Sequence, residues 1–505
     1  MTISRRNAML QGCVIGAGVI AANVPGIVAF AQAQPKLRQS LLGMPLNDPI
    51  ISAWRDAVRM LKEPTRPAPI NWTSLANIHG TASGFNQCPH GNWYFLPWHR
   101  GYLLMYERVV RQLTGFNDFA LPYWDWTADS HVPEAFTSPT FGGNPNALFE
   151  PRDMGPSDTI PAENVGQAVM TQILNDTPFE TFGTTRPSGQ NSLDPMWIRR
   201  RTGVQGTLEA NPHNNVHGWV GGVMAGTRSA NDPIFTMHHG NIDRIWWVWS
   251  GIPNPNTNDT LWTDMPFQNH FFNPDGTSYS PKVSDLLLPE PLGYTYDADI
   301  VIAPVVGGGP GTATPIEERL KTIYGSPNLE VAAASGITTY VAPVSEAATS
   351  GKPLDLPVTV DPSKLGVVAR YRRPSTGTEA VDPGRVRARL AAAPRALCFI
   401  RDIAVANDEN TQYRVFVDCD YLSATTPISD RHYAGTFGFF GTHNHGGEAN
   451  PSVAVDLTVP IQRVYGSLPT SPDSIRVQIL PVARGKGGEI GTAKPSRLEI
   501  AIITA

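Results

Sequence analysis

The feature that most restricts this chain is where its histidines fall. Of 12 in 505 residues, His79, His90 and His99 share one window, and His213, His217, His238 and His239 share another. His213 and His217 stand at i and i+4, so on a helix their Cβ atoms lie about 6 Å apart on one face. Two imidazoles so placed suit a shared metal, although the pair alone also fits surface or capping histidines. Asp232-Pro233 reads as a helix start, an N-cap carboxylate followed by proline at the first helical position. Phe235, His239, Ile242, Trp246 and Trp249 then fall on one face, which sets His239 on an apolar stripe. In the first window Tyr102, Tyr106, Val109 and Leu113 follow His99 at helical steps, and Gly115 can stop that helix. His79 is expected from a preceding loop or helix end, with His90 between. Buried ring nitrogens need partners, and three aimed at one core are hard to satisfy without a cation. The pattern predicts two sites of three neutral imidazoles each.

Ligand type narrows the ion. Imidazole suits zinc, copper, iron and nickel. Carboxylate-rich di-iron bundles carry Glu-x-x-His, which is absent at these positions, and no His-Glu-x-x-His occurs. An all-histidine set without ligating charge favours copper, which cycles between two oxidation states, over zinc.

The N-terminus reads as a targeting segment. Ser4-Arg5-Arg6-Asn7 is a twin-arginine start, residues 8–30 are weakly apolar, and Ala31-Gln32-Ala33 offers a cleavage site. Gln11, Asn23 and Pro25 interrupt the run, which disfavours a membrane anchor. Residues 1–33 are therefore expected to direct export to the periplasm or beyond, leaving no integral membrane segment. A formal net charge of −5 without a basic stripe makes nucleic acid a poor partner. Of the four cysteines, Cys13 falls in the signal, and Cys398 and Cys419 fit either a disulfide or two buried thiols. Cys88 sits among the histidines.

Residues 36–300 are rich in aromatics and histidine, with helical periodicity. The texture changes from Val301, where Gly307-Gly308-Gly309-Pro310-Gly311 reads as a linker or exposed loop, and 301–384 is expected to be irregular. From 385 to 505 short alternating segments such as Tyr413–Val417 and Ser474–Ile479 predict β-strands. The expected fold is a mainly α domain plus a C-terminal β-rich domain. The oligomeric state is not legible.

These motifs carry a resemblance. His90-Gly-Asn-Trp-Tyr-Phe95-Leu-Pro-Trp-His99-Arg100, followed by Glu107, resembles the copper A signature of tyrosinases, polyphenol oxidases and molluscan haemocyanins. Asp232-Pro233-Ile-Phe235-Thr-Met-His238-His239-Gly-Asn241-Ile-Asp243-Arg244 resembles their copper B signature, and Pro212-His213-Asn214-Asn215-Val216-His217 its first two histidines. Pro122-Tyr123-Trp124-Asp125-Trp126 and Gly293-Tyr294-Thr295-Tyr296 resemble further landmarks. The likeness covers about residues 36–300. Gly101 departs from it, since many members have proline after His-Arg.

The resemblance to these type 3 copper proteins implies a four-helix bundle holding two copper ions. His79, His90 and His99 would take copper A, and His213, His217 and His239 copper B, with His238 behind them. Cys88 matches the cysteine that some members join to the following histidine as a thioether. Its other reading is a small buried hydrophobe. Glu209 and Asn214 match residues associated with holding a water that takes a phenol proton. Gly218 and Gly226, small where relatives carry bulky gating side chains, imply an open mouth. The implied activity is O2-dependent ortho-hydroxylation of monophenols and oxidation of o-diphenols to quinones. Catechol oxidase without hydroxylation, and O2 carriage without turnover, are the alternatives, with a zinc-stabilised protein more remote. The C-terminal domain, through Gly435-Thr-Phe-Gly-Phe-Phe-Gly, faintly resembles the shielding domain of plant proenzymes and otherwise reads as a structural β-module. His443-Asn444-His445 reads as a hydrated loop or a transient copper site.

Overall fold

Side-chain caps set the first helices. Asp48 accepts from Ile50 N at 2.8 Å and opens α1 (Pro49–Leu61), and Asn71 accepts from Ser74 N at 2.8 Å and opens α2 (Trp72–His79); each supplies an acceptor to an otherwise unpaired N–H. The long α3 (Phe95–Thr114) ends at Gly115, whose φ of 69° is the left-handed cap that glycine adopts without strain. A π-helical turn over Glu209–His213, with Pro212 inside it, leads into α4 (Asn214–Val220). Asp232 accepts from Ile234 N at 3.0 Å and starts α5 (Ile234–Gly251), as Asp-Pro predicts. The coordinates are a computed structural model that describes residues 34–175, 179–251, 256–297, 337–371, 393–441, 450–485 and 489–504. The expected signal over 1–33, the glycine run 307–311 and His443-Asn444-His445 lie outside the described residues.

Helix α3 packs on α1 and α5. Trp54, Trp72 and Tyr106 meet with ring centres 6.0–6.2 Å apart. A buried polar knot fixes the two long helices. Asp243 of α5 accepts from Arg100 of α3 at 2.6 Å and from Arg38 at 3.2 Å, while Arg38 also pairs with Glu107 of α3 at 2.8 Å. Tyr294 O–H donates to Asp243 at 2.7 Å. Lys36–Arg38 pairs in parallel with Tyr294–Tyr296, which delivers Arg38 and both tyrosines to this knot. Gly101 lies inside α3, and a Cβ there would meet the Phe271 ring at 2.7 Å.

The β-rich part has its own core, a two-stranded ladder of Ala404–Ala406 with Thr492–Lys494 and two larger sheets. In chain order its strands are β1 (Val204–Gln205), β2 (Ile337–Pro343), β3 (Leu354–Thr359), β4 (Arg395–Arg401), β5 (Thr411–Val417), β6 (Tyr433–Phe437), β7 (Ser452–Asp456), β8 (Ser474–Ala483) and β9 (Arg497–Ile503). One sheet has the order β2-β9-β4-β7-β1, the other β3-β8-β5-β6. Two helices, α6 (Pro362–Arg370) and α7 (Thr458–Tyr465), pack together beside them.

Two expectations are corrected here. The segment 301–384 is not irregular throughout: β2 and β3 lie within it and pair with β9 and β8. In β3, Leu354, Leu356 and Val358 face in while Asp355, Pro357 and Thr359 face out. That alternation was masked by prolines, and Pro357 is tolerated because β3 is an edge strand. The sheet also begins before 385 in another sense, because β1 comes from the helical part and pairs in parallel with β7. Residues Lys36–Ala505 accordingly form one compact unit. Cys398 and Cys419 are both buried free thiols, not a disulfide.

Candidate metal centre

The histidines of both windows converge. His79 is the last residue of α2, His90 sits on the loop before α3, and His99 is in the second turn of α3. His213 ends the π turn, His217 follows one turn later in α4, and His239 comes from α5. His79, Cys88, His90 and His99 each offer a donor atom, all within 4.8 Å of one another, and so do His213, His217, His238 and His239. The two groups face each other. The His99 and His239 rings stack with centres 4.1 Å apart, and His90 lies 5.4 Å from His213.

The donor set fits a pair of metal ions. Burial holds His79 and His213 down to about 3, and His90, His99, His217 and His239 well below the ordinary imidazole value. All six are therefore neutral imidazoles rather than cations. His79 Nδ1 donates to Thr227 O at 3.1 Å, His99 Nδ1 to Phe95 O at 2.7 Å, His217 Nδ1 to Met224 O at 2.8 Å and His213 Nδ1 to Asn214 Oδ1 at 2.8 Å. Those bonds fix the tautomer that leaves Nε2 for a metal. His79 Nε2 and His213 Nε2 are buried without a hydrogen-bond partner, an arrangement that costs free energy unless a cation completes it. His238 is buried among the others, and both its ring nitrogens lack a partner. Its ring meets Trp126 edge-on, 5.7 Å between centres.

The remaining residues singled out by the sequence are also here. Cys88 Sγ lies 3.6 and 3.7 Å from the two ring nitrogens of His90, and 3.3 Å from His99 Nε2. Burial keeps it a thiol. Glu209 is buried and accepts from Gly91 N at 2.7 Å and from the Thr184 hydroxyl. Desolvation pushes its carboxyl up to about 7. Asn214 donates through Nδ2 to Gln205 Oε1 and to Gly438 O, both at 2.9 Å.

The β-rich part closes over this centre. Phe440 stacks on the His217 ring at 4.0 Å and 21°, and lies 5.2 Å from His90 and 5.5 Å from His213. Gly438 N donates to Ala210 O at 2.8 Å, and Arg414 forms a two-pronged pair with Glu163 at 2.6 and 2.8 Å. The open mouth expected at Gly218 is not present: a Cβ there would collide with the Arg484 guanidinium, which donates to Asn215 Oδ1 at 3.0 Å. Gly226 does face open space and lines a cavity of about 640 Å³ with Ala82, Thr227 and Arg228. Sequence reasoning missed Arg484, and the carbonyls of Met224 and Thr227 carry no side-chain signal. Phe440 was marked only by a faint motif.

The fold and site define a type 3 copper protein, and comparison with known proteins agrees. Residues 69–252 match the common central domain of tyrosinase. The chain is 33% identical over 210 residues to tyrosinase of Streptomyces glaucescens, covering 38% of this chain and 75% of that one. It is 26% identical over 495 residues to tyrosinase HcTyr1 of Hahella sp. (strain CCB-MM4), covering 87% and 94%. The fold of latent apple tyrosinase superposes with a TM-score of 0.63 at 21% identity, over 93% of this chain and 98% of that one. The chain belongs to the tyrosinase family of copper oxidoreductases.

Proposed function

We propose that this protein is a tyrosinase that hydroxylates monophenols ortho to the hydroxyl and oxidises o-diphenols to o-quinones with O2. The observation that carries the reading is the convergence of six neutral imidazoles, four of them tautomerically fixed by carbonyl or amide oxygens. In this reading His79, His90 and His99 hold copper A, and His213, His217 and His239 hold copper B, within a helical bundle that includes α2, α3, α4 and α5. His239, which stacks on His99, is the ligand of the adjacent pair. Two copper ions bound there supply the redox chemistry that couples O2 to phenol oxidation.

The chain's own groups do the rest. Phe440 occupies an aromatic slot against His217, which supports a phenol ring stacking on the same imidazole once Phe440 withdraws. Glu209, with its carboxyl near 7, is suited to take the phenol proton through a water. Asn214 orients His213, and its amide is tied to Gly438 O while the β-rich part is closed. Opening would release that amide to hold the same water. These contacts support a shielding role for the β-rich part. The sulfur's near-equal distances from both His90 nitrogens support a bond to the ring carbon between them, formed as the S–H and ring C–H bonds break and their two protons and two electrons pass to O2. Export by the twin-arginine route rests on residues 1–33 alone.

The test is O2 consumption by the copper-loaded chain with p-cresol and with 4-methylcatechol. Turnover of both is expected. Turnover of the catechol alone reduces the enzyme to a catechol oxidase, and O2 binding without turnover of either would overturn the enzymatic reading.

A further inference from the structure

We propose that Arg484 of the β-rich part is a positioning residue for the second metal, holding the turn that carries His213 and His217. The inference rests on the dicopper reading and deepens it. The β-rich part then helps to build the centre as well as to cover it.

The turn needs outside support. Pro212 has no N–H, and its ring crowds the carbonyl four residues back, so an ordinary α-helical turn is disfavoured there. The chain takes a π-helical turn over Glu209–His213 instead, a geometry that occurs as single turns and gathers at functional sites. Its polar groups find their partners outside the turn. Ala210 O accepts from Gly438 N at 2.8 Å. Asn211 Oδ1 accepts from Asn215 Nδ2 at 2.8 Å and from Asn164 Nδ2 at 3.1 Å, and Asn211 Nδ2 donates to Glu163 O at 2.9 Å. Asn215 Oδ1 in turn accepts from Arg484 Nη2 at 3.0 Å. A relay thus runs from Arg484 through Asn215 to Asn211, which precedes His213 by only Pro212. All three of its members are buried.

Arg484 is itself held in place. It directly follows β8, and its backbone N donates to Asn410 O at 2.7 Å. Nη2 also donates to Thr411 O at 2.9 Å, and Nη1 to Glu409 O at 3.3 Å. Among the described residues the guanidinium therefore bonds to neutral oxygens, while the field of Asp408 favours its charge. A cation in such a place is costly, and burial draws it down to about 10. Room for it comes from a glycine on each part. A Cβ at Gly218, the residue after His217, would collide with the guanidinium, and a Cβ at Gly438 would stand 2.7 Å from Nη2. A cover that merely excludes water needs no buried cation. An oriented donor at the head of an amide relay fixes the backbone below it.

The experiment uses the full-length copper-loaded chain, with Phe440 intact and as Phe440→Gly. Copper content, the rate of copper loss to EDTA and turnover of 4-methylcatechol are measured. Arg484→Gln should lose one of its two coppers about tenfold faster, the scale that outer support of a ligand carries. The metal left behind should give the EPR signal of an isolated Cu(II) ion, which a coupled pair does not give. In the Phe440→Gly chain, where the ring is already gone, Arg484→Gln should lower kcat about tenfold with KM little changed. Arg484→Lys, which keeps a charged donor, should recover part of both. Asn215→Ala cuts the same relay from the helical side, so it should reproduce the losses, and it decides the matter if Arg484→Gln does not fold. Arg401→Gln breaks the Arg401–Glu499 pair within the β-rich part and should keep both coppers at the parent rate. If Arg484 serves the cover alone, Arg484→Gln will keep both coppers at the parent rate and raise catechol turnover with Phe440 intact. That result would overturn the proposal, as would equal copper loss in Arg401→Gln. Absence of catechol turnover in Phe440→Gly would overturn the enzymatic reading, and the rates of copper loss would still decide on Arg484.

Discussion

The two halves of the metal centre are anchored differently. On the copper A side one histidine sits on a loop, and that loop is held by Glu209, which accepts from Gly91 N, and by Asn92, which donates to Arg200 O at 2.7 Å. On the copper B side all three histidines come from helical turns, and the turn bearing His213 is gripped by the β-rich part through Gly438, Arg484 and Phe440. The contrast teaches that the β-rich part grips the backbone of one half of the site by hydrogen bonds, while its Phe440 covers both halves, 4.0 Å from His217 and 5.2 Å from His90. The first histidine cluster is anchored by the helical part alone, and the second is anchored by both parts.

The strongest way to break that contrast is to remove one ligand from each half. His99→Ala and His239→Ala should each abolish quinone formation and leave no more than one copper per chain by atomic absorption, whereas His238→Ala should keep two. Full metal content in His239→Ala with loss in His238→Ala would exchange their roles. Next in size, Phe440→Gly should raise catechol turnover at least about tenfold, with KM falling more than kcat rises if the ring merely competes with substrate. No rise would remove the shielding role of the β-rich part.

Acid should act on the copper-free protein through both halves. His79 and His213 stay neutral in the fold down to about 3 but take up protons near 6.5 when unfolded. The unfolded chain therefore binds more protons across that window, so stability falls as pH drops from 6.5 toward 3. Thermal melting of the copper-free form at pH 7.5, 6 and 5 should give steadily lower midpoints, and copper should flatten that dependence at the two higher values. A flat profile without metal would mean that the imidazoles are not buried as described. The smallest effect is expected at Cys88, on the copper A side alone. Copper-loaded protein should be lighter than its sequence by two hydrogens in intact-mass spectrometry, and Cys88→Ala should keep its copper but lose it faster to a chelator.

Much of this was legible because the signals are local. Asp232-Pro233 placed α5 correctly, since a cap and a proline act on neighbouring backbone. The i, i+4 spacing of His213 and His217 placed both on one face even though His213 closes a π turn that contains Pro212. Strands β5 and β8 followed from alternation. Where the reading failed, the deciding contact was distant in sequence. Strand β3 hides its period behind Pro357, which is harmless only because β3 is an edge strand with β8 on one side of it. Gly218 looked like open space, and an arginine more than half the chain away fills it.

Residue identity and spacing alone determined that two clusters of imidazoles would meet in a core and that the donor set would suit copper. A ligand's chemistry belongs to its side chain, and helical geometry fixes which residues share a face. The tertiary structure decided which oxygens fix the rings of His79, His99, His213 and His217, which phenylalanine lies on His217, and which arginine fills the space beside Gly218. Those depend on backbone carbonyls and on chain segments brought together only by packing, and neither leaves a periodic mark in the sequence.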